Sequence, residues 1–582
     1  MQQQGTPLAI TKDGGAAEVP ATTAASSRGQ TFQKYWPALA VAVLTLIAAY
    51  LIIPGAKKNA VFGDELRTWH DSLRETYPAI LMWRNTPDHA PLNYLLVKLT
   101  CDLIGNERGW VMRIPSVICG LLCIPAAFWL GRCLWSNAMG VLVAAFATVD
   151  VSLIWQSQQA RMYSMLLLIV LVGLVQIVML AEAGERPRWR WALMGVILGI
   201  GMWTHAASIV LWIGVILLAV MLSRQRKRAE NETGKQLLIS ASLAIGIGLL
   251  ISSPALFRLA GMVDREKIES ANVEKVSAQF KILSRELSGR MDLSIALGVL
   301  MVAGLVVFWW QAPSKRIVVT ILLVIGLLTV LNLFIAAFRR PVHGARYVTT
   351  ADPSLWIGMA WLVLWGFSNR YRVVQAATGV LLAGHLAFQG SRCTEVETVF
   401  GTHQYADEFA QAVRWISRVS KPNDQIVCMP PQAGLFAGYY RLPVNKALET
   451  DLHNVYSLTP ALRREILPGR RTKWTRRTTW VIAICPPEPN QRLKWQDPRR
   501  MLPVLGQWYS VNPVLSVLPS KKPMRVFIYR FNAGGVSVFS AQGKLLVSTK
   551  PTTRPATRPR PTTQATTRPA APQNLPALPA SK

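Results

Sequence analysis

Charge is scarce in this sequence. Only 16% of its 582 residues are Asp, Glu, Lys or Arg, while 51% are hydrophobic; soluble globular chains carry roughly 25% charged residues. Cysteine is scarcer still. The seven present form no CxxC pair and no cluster with metal-ligand spacing, which argues against a zinc module and against a disulfide framework. Cys101, Cys119, Cys123 and Cys133 fall in or beside apolar segments; Cys393, Cys428 and Cys485 fall in a C-terminal region, where one bridge is left open. No glycine-rich loop opens a helix behind a strand, so a cytosolic nucleotide site is unsupported. Acidic residues number 31 against 63 basic ones, a net charge of +32. The excess forms no basic-aromatic module of a nucleic-acid binder. It sits in short loops between apolar segments, in the C-terminal region and in a tail, which suits membrane orientation and anionic headgroups.

The chain instead has long apolar runs. Several windows of about 18 or more residues make it a polytopic membrane protein. Residues 1–35 are rich in Gln, Thr, Ala and Gly, without the layout of a signal peptide, and are expected to be a disordered cytoplasmic leader. The first span runs from Trp36 to about Ile53, before Pro54-Gly55. Leu92–Ile104 is only about 13 residues long and holds Lys98 and Asp102, so an interfacial helix is expected there. Further spans then fall at about 110–131, 138–156, 162–181, 191–204, 206–223, 237–257, 293–310, 317–337, 354–368 and 373–390, roughly eleven in all. From about residue 393 to 545, an amphipathic helix (Phe409, Val413, Ile416) and strand-like runs such as Thr479–Cys485 and Met524–Phe531 predict a small α/β domain. From 546 the chain turns to Thr-Arg-Pro repeats with no acidic residue, expected to be a disordered tail.

Loop charge orients the spans. If 92–104 does not cross, the cytoplasmic loops hold Arg132, then Arg186, Arg188 and Arg190, then Arg224, Arg226, Lys227 and Arg228, then Lys315 and Arg316, then Arg370 and Arg372. A crossing there would turn all of them outward, against the positive-inside rule. The opposite face then collects Asp64, Glu65, His89, Arg161, His205, the 258–292 loop, Arg339–Tyr347 and the C-terminal domain. The 258–292 loop mixes Asp264, Arg265, Glu266 and Lys267 with helically spaced Leu283, Leu287 and Met291; it reads as a lid over a site or as a surface helix.

Two adjacent carboxylates, Asp64 and Glu65, follow the first span by about ten residues, a costly place for charge near lipid. A solvated loop pair is the plain alternative. Arg339, Arg340, His343, Arg346 and Tyr347 lie together at another outer span end, where guanidinium groups suit paired hydrogen bonds to a phosphate. Arg161-Met162-Tyr163 is a second anion contact, or an arginine snorkelling to headgroups. His205 joins two short spans, and Asp150 lies near the end of a third; a lone His in such a join is more often a hydrogen-bonded structural group. His89 opens the interfacial helix and is expected to hold a carboxylate in place. No His, Cys and Asp grouping has convincing metal spacing; no cofactor is expected, and assistance by a divalent cation is left open.

In order and sidedness these motifs resemble the GT-C superfamily of integral-membrane glycosyltransferases, in its protein O-mannosyltransferase and lipid A aminoarabinose transferase branch. The likeness covers about residues 36–390. It rests on Asp64-Glu65, His89-Ala-Pro-Leu-Asn-Tyr, Arg113-Ile-Pro-Ser, Gln159-Ala-Arg-Met-Tyr, Thr204-His205 and Ala345-Arg346-Tyr347-Val348. The resemblance implies a polyprenyl-phosphate sugar donor, a lipid, glycan or protein acceptor hydroxyl, and inversion at the anomeric carbon. It makes Asp64 the general base and Glu65 its support, and sets Arg161 and Arg346, with Arg340 and Tyr347, near the donor phosphate. His89, Tyr163 and His205 are supporting residues. Gln159 stands where the family often has Glu, and Ala90 where a second Pro is common.

The chemistry agrees with this reading. A phosphate leaving group needs cations to absorb its developing charge, and an acceptor hydroxyl needs a carboxylate to take its proton. One base suffices for a single inverting displacement, unlike the paired acids of hydrolases. The expectation is therefore a membrane transferase with its site on the extracytoplasmic side, in a bacterial inner membrane. A transporter or flippase of a lipid-linked substrate is the alternative; it predicts midplane polar residues and repeated halves, whereas polar clusters here sit mainly at one face. A membrane scaffold with a partner-binding soluble domain is a third class.

Overall fold

The computed structural model describes residues 24–58, 61, 63–73, 75–82, 90–182, 188–227, 233–263, 291–339, 349–394, 404–419, 425–429, 479–485, 525–532, 535–540 and 543–549. The chain divides into two compact units, Met1–His403 and Gln404–Lys582.

The described part of the first unit is helical. Helix α1 (Ala24–Lys58) carries Pro54 inside its last turns. Proline removes a backbone donor and interrupts the ladder, and nearby the Gln158 side-chain amide donates to Leu51 O at 3.0 Å. After α1 come three short helices, α2 (Gly63–Leu73), α3 (Tyr77–Leu81) and α4 (Leu92–Ile104). Thr76 caps α3, its hydroxyl accepting from Ala79 N at 3.4 Å. Tyr94, Val97 and Cys101 form the buried stripe of α4, while Leu99, Leu103 and Ile104 are exposed. Lys98 and Asp102 pair across one turn of it at 3.6 Å. Gly105 ends α4 at φ 65°, a conformation glycine adopts without a Cβ clash. Helices α5 (Gly109–Met112), α6 (Ile114–Leu134), α7 (Asn137–Thr148), α8 (Val151–Ser157), α9 (Tyr163–Glu182), α10 (Arg188–Thr204), α11 (Ile209–Lys227) and α12 (Thr233–Val263) follow, then Met291–Gln311, Arg316–Arg339, Asp352–Phe367 and Arg372–Thr394.

Six described helices are long and apolar enough to cross a membrane: Lys34–Lys57, Ile114–Leu134, Tyr163–Glu182, Ala206–Gln225, Gln236–Leu256 and Arg372–Thr394. Two bent pairs raise the count to eight if each is one span. That is fewer than the expected eleven, for a local reason. The expected span at 138–156 is broken between α7 and α8 by a 61° bend, where Asp150 caps α8 by accepting from Leu153 N at 3.0 Å. The second pair, Ala296–Gln311 and Pro313–Thr329, turns by 114°. Helices α10 and Asp352–Phe367 are only 17 and 16 residues long. Of the expected 258–292 loop, residues 264–290 lie outside the described residues.

Small residues bring these helices close. A Cβ on Gly304 would lie 2.1 Å from Gly358 O, and one on Gly131 would lie 2.8 Å from Gly140 Cα. In an apolar solvent such contact is a main source of helix association, because burial of apolar surface no longer drives it. Lys315 pairs with Glu182 at the end of α9. Among the described residues one large buried cluster extends from Ala48 on α1 to Cys393, with smaller ones at Ala90, Met202 and Ala255 and at Met162, Tyr163 and Met165.

The described residues of the second unit form the helix Gln404–Val419 and five strands, β1 (Gln425–Met429), β2 (Thr479–Cys485), β3 (Arg525–Asn532), β4 (Gly535–Ser540) and β5 (Leu545–Thr549). They form one sheet in the order β1-β2-β3-β4-β5. The first pair is parallel and the others antiparallel. Trp415 of the helix meets Trp480 and Phe539 of the sheet at 5.6 and 5.0 Å between ring centroids. Gly543, at φ 83°, passes so close that a Cβ would lie 2.1 Å from the Trp415 indole. Strand β5 runs past residue 546, where the tail was expected to begin, and the Arg372–Thr394 helix runs past the expected boundary at 390.

Candidate functional site

Asp64 and Glu65 occupy the first turn of α2 rather than an irregular loop. Carboxylates are favoured there by the helix dipole. The helix is amphipathic: Glu65, Leu66, Thr68, Trp69 and Ser72 are buried, while Asp64, Arg67 and His70 are partly exposed. Its spacing explains both acids, since adjacent positions differ by about 100° and one turns inward while the other stays at the edge.

The inward acid is held on three sides. Arg113, between α5 and α6, donates from Nε to Glu65 Oε1 at 2.7 Å and from Nη2 to Oε2 at 2.5 Å. A third bond comes from Ala160 N to Oε1 at 2.7 Å. Arg113 Nη1 also donates to Ala56 O at 3.0 Å, so the end of α1, α2, α6 and the segment after α8 meet at one ion pair. Neither side chain is more than 1% exposed. Removing one member of such a pair costs about 3–5 kcal/mol, because its partner is left charged and buried.

That clamp sets Arg161, the residue after Ala160. Its carbonyl accepts from Ser116 Oγ at 2.8 Å, and Ser164 Oγ returns a bond to Ser116 O at 3.0 Å. Nη1 of Arg161 lies 3.4 Å from both Asp64 O and Thr68 Oγ1. The guanidinium carbon stands 5.9 Å from the Tyr163 ring centroid, within cation-π range, and the Tyr163 and His205 rings are 5.7 Å apart. Burial alone would favour the neutral arginine. Tyr163, Tyr94 and Asp64 outweigh it and hold the guanidinium above its ordinary range. A fixed cation thus stands beside a partly exposed carboxylate, an arrangement suited to stabilising negative charge near a base.

The other expected residues divide into two groups. Tyr163 and His205 join Arg161 through ring contacts; His205 also accepts from Ala207 N at 3.0 Å through Nδ1, capping a short 3-10 turn. Asp150 caps α8 and accepts from Trp356 Nε1 at 2.9 Å. His89, Arg340, Arg346 and Tyr347 lie outside the described residues. Thr349, the first described residue after Tyr347, accepts from Gln156 Nε2 at 2.6 Å. Three contributors had no role assigned from sequence: Arg113, Thr68 and Tyr94. Arg113 had a signal, for it precedes the N-terminus of an apolar helix, where the dipole disfavours a cation. Such a cation needs a carboxylate partner.

Residues 88–257 match the family model described as dolichyl-phosphate-mannose-protein mannosyltransferase. The match contains Arg113, Arg161, Tyr163 and His205 and begins after Asp64. No curated protein matches the chain. Among solved structures, apo ArnT from Cupriavidus metallidurans is similar at 12% identity and a TM-score of 0.49, over 78% of this chain and 93% of that one. Archaeal oligosaccharyltransferase AglB from Archaeoglobus fulgidus, in complex with an inhibitory peptide and a dolichol-phosphate, is similar at 12% identity and a TM-score of 0.46, over 70% and 63%. The S. cerevisiae protein O-mannosyltransferase complex bound to the sugar donor follows at 15% identity and 0.32, over 38% and 33%. Over residues 88–257 the chain is thus similar to the dolichyl-phosphate-mannose-protein mannosyltransferase family, whose members are glycosyltransferases using lipid-linked sugars.

Proposed function

We propose that this protein is an inverting glycosyltransferase of the membrane, moving a sugar from a polyprenyl-phosphate donor to an acceptor hydroxyl on the extracytoplasmic face. The observation that carries the reading is the division of labour at the start of α2. Glu65 is committed to Arg113 and Ala160 N, while Asp64 stays partly exposed next to Arg161. Asp64 takes the proton of the acceptor hydroxyl as its oxygen attacks the anomeric carbon. The bond from that carbon to the phosphate oxygen breaks on the opposite face, and its electron pair leaves with the polyprenyl phosphate. Arg161 offsets the charge that develops on the phosphate. Glu65 acts through position only, tying Ala160, and hence Arg161, to α2.

Arg346, Tyr347 and Arg340 are proposed as further donor-phosphate contacts. His89, Tyr163 and His205 support the site. About eleven spans, the bacterial inner membrane and an extracytoplasmic second unit belong to the same proposal, on the loop charges.

The test uses the full chain in lipid nanodiscs, with a panel of polyprenyl-phosphate sugars and lipid, glycan and peptide acceptors. Transfer with inversion is expected, falling by about 10²–10⁴-fold in Asp64→Asn. Unchanged transfer in that variant would remove Asp64 as the base. No transfer by the unaltered chain from any donor, alongside translocation of the lipid across vesicles, would overturn the reading in favour of a flippase.

A further inference from the structure

The backbone on either side of Arg161 is held more tightly than its guanidinium. Nη1 reaches Asp64 O and Thr68 Oγ1 at 3.4 Å each, beyond the usual range of roughly 2.7–3.2 Å. The backbone bonds are shorter: Ala160 N to Glu65 Oε1 at 2.7 Å and Ser116 Oγ to Arg161 O at 2.8 Å. Arg161 N closes a tight turn onto Gln159 O at 2.8 Å. The α9 ladder is entered one residue later, with Leu166 N on Met162 O at 2.9 Å. The guanidinium therefore stands where its backbone puts it.

Both anchors trace to the start of α6. Arg113 holds Glu65, which holds Ala160 N. Ser116, three residues on, holds Arg161 O directly. Positions three apart lie on one helix face, and Pro115 between them fixes its own φ in the first turn. The Ser116 bond departs from what helical hydroxyls otherwise do here. They commonly turn back to the carbonyl four residues earlier, as those of Thr148, Ser157, Ser252 and Thr329 do. Ser116 is 1% exposed and instead donates to a residue 45 positions away. Ser164 donates in the opposite direction, to Ser116 O at 3.0 Å. The starts of α6 and α9 are thus buckled twice, but only one of the two bonds ends on Arg161.

We propose that Ser116 is a positioning residue for the transfer reaction, its hydroxyl fixing the backbone of Arg161 and so the place where the donor phosphate is received. It acts through Arg161 and touches no substrate. This rests on the transferase reading, in which Arg161 offsets the charge on the phosphate, and deepens it by naming what aims that cation. Without the hydroxyl, the segment is left to pivot on Ala160 N. A misplacement of about 1 Å at a charged group costs up to about 10²-fold.

The experiment uses the full chain in lipid nanodiscs and compares Ser116→Ala with Ser164→Ala. Each loses one buried hydrogen bond between the same two helix starts, so similar drops in melting temperature are expected. Only Ser116→Ala is expected to raise donor KM, by about tenfold, and to weaken binding of bare polyprenyl phosphate by a similar factor. Its acceptor KM is expected to stay unchanged, and Ser164→Ala to match the unaltered chain in all three. Ser116→Thr keeps the hydroxyl but adds a buried methyl group, so it is expected to restore donor KM even with a lowered melting temperature. Ser116→Cys, close in size but a weak donor, gives the same comparison if the alanine variant does not fold. Unchanged donor KM in Ser116→Ala overturns the proposal. Equal rises in the two alanine variants do so too, because both serines are then only staples between helices. In either case, transfer by the unaltered chain leaves the transferase reading standing. If that chain neither transfers a sugar nor binds polyprenyl phosphate more tightly than the uncharged polyprenol, the transferase reading itself fails and the role of Ser116 falls with it.

Discussion

Glu65 offers a test of how the site is built, because stability and positioning separate there. Three hydrogen bonds reach its carboxylate, two from Arg113 and one from Ala160 N. Both members of the ion pair are buried, where Coulomb attraction and desolvation nearly offset each other. In Glu65→Gln the side chain keeps its shape, but the guanidinium of Arg113 loses its counter-charge in the interior. The expected loss is about 3–5 kcal/mol. Replacing both partners, in Glu65→Leu with Arg113→Met, removes the charge and its need together, so the double variant is expected to recover most of that stability. Unfolding in mixed detergent micelles, read as a double-mutant cycle, measures the coupling. A coupling below about 1 kcal/mol would refute the buried pair as the anchor of this site. The double variant also lacks the acceptor for Ala160 N, so Arg161 is no longer tied to α2. It is expected to fold and yet show a raised donor KM, a split that a purely structural ion pair would not produce.

Arg161→Lys keeps the charge but loses the planar guanidinium, whose Nη1 reaches both Asp64 O and Thr68 Oγ1; donor KM is expected to rise by about tenfold or more, and equal donor saturation would remove its phosphate role. Gly304→Leu places a side chain where Gly358 O leaves only 2.1 Å for a Cβ. The two helices must separate, and a loss of at least about 1–3 kcal/mol is expected in the same unfolding assay. Cys101 is held on α4, where burial first and Glu107 and Asp102 next push its thiol up to about 12. Its folded-state value is raised, so its contribution is complete below about pH 8.5 and is lost as pH rises toward 12. Alkylation at pH 8.5, followed by mass spectrometry, is expected to modify Cys101 in the unfolded chain far faster than in the folded one.

How much of this was legible from residues alone depended on the range of the interaction. The helical identity of α4 could be read because a 13-residue amphipathic segment with an i, i+4 ion pair is a local property. The apolar runs were equally plain, because their length and hydropathy need no partner to be recognised. The span count was less secure. The break at Asp150 follows from a side chain folding back to cap the next helix, and its second oxygen is held by Trp356, some 206 positions away in sequence.

The site shows the same division. Sequence by itself singled out Asp64, Glu65 and Arg161 as charged groups in costly places, and marked one end of several apolar segments as the polar face. The family resemblance gave the adjacent acids separate roles, as base and support, but the residues by themselves record only their adjacency. The tertiary structure shows how their surroundings differ. Helical rotation turns Glu65 inward onto Arg113, 48 positions later, and onto Ala160 N, 95 positions later, and leaves Asp64 at the edge next to Arg161. Tyr94 ends the motif that begins at His89, yet nothing in that motif shows that its side chain is buried, because burial is defined by what surrounds it. Charge and hydropathy are properties of residues and survive in a string of letters; burial, pairing and the lack of a partner come into being only when distant segments meet.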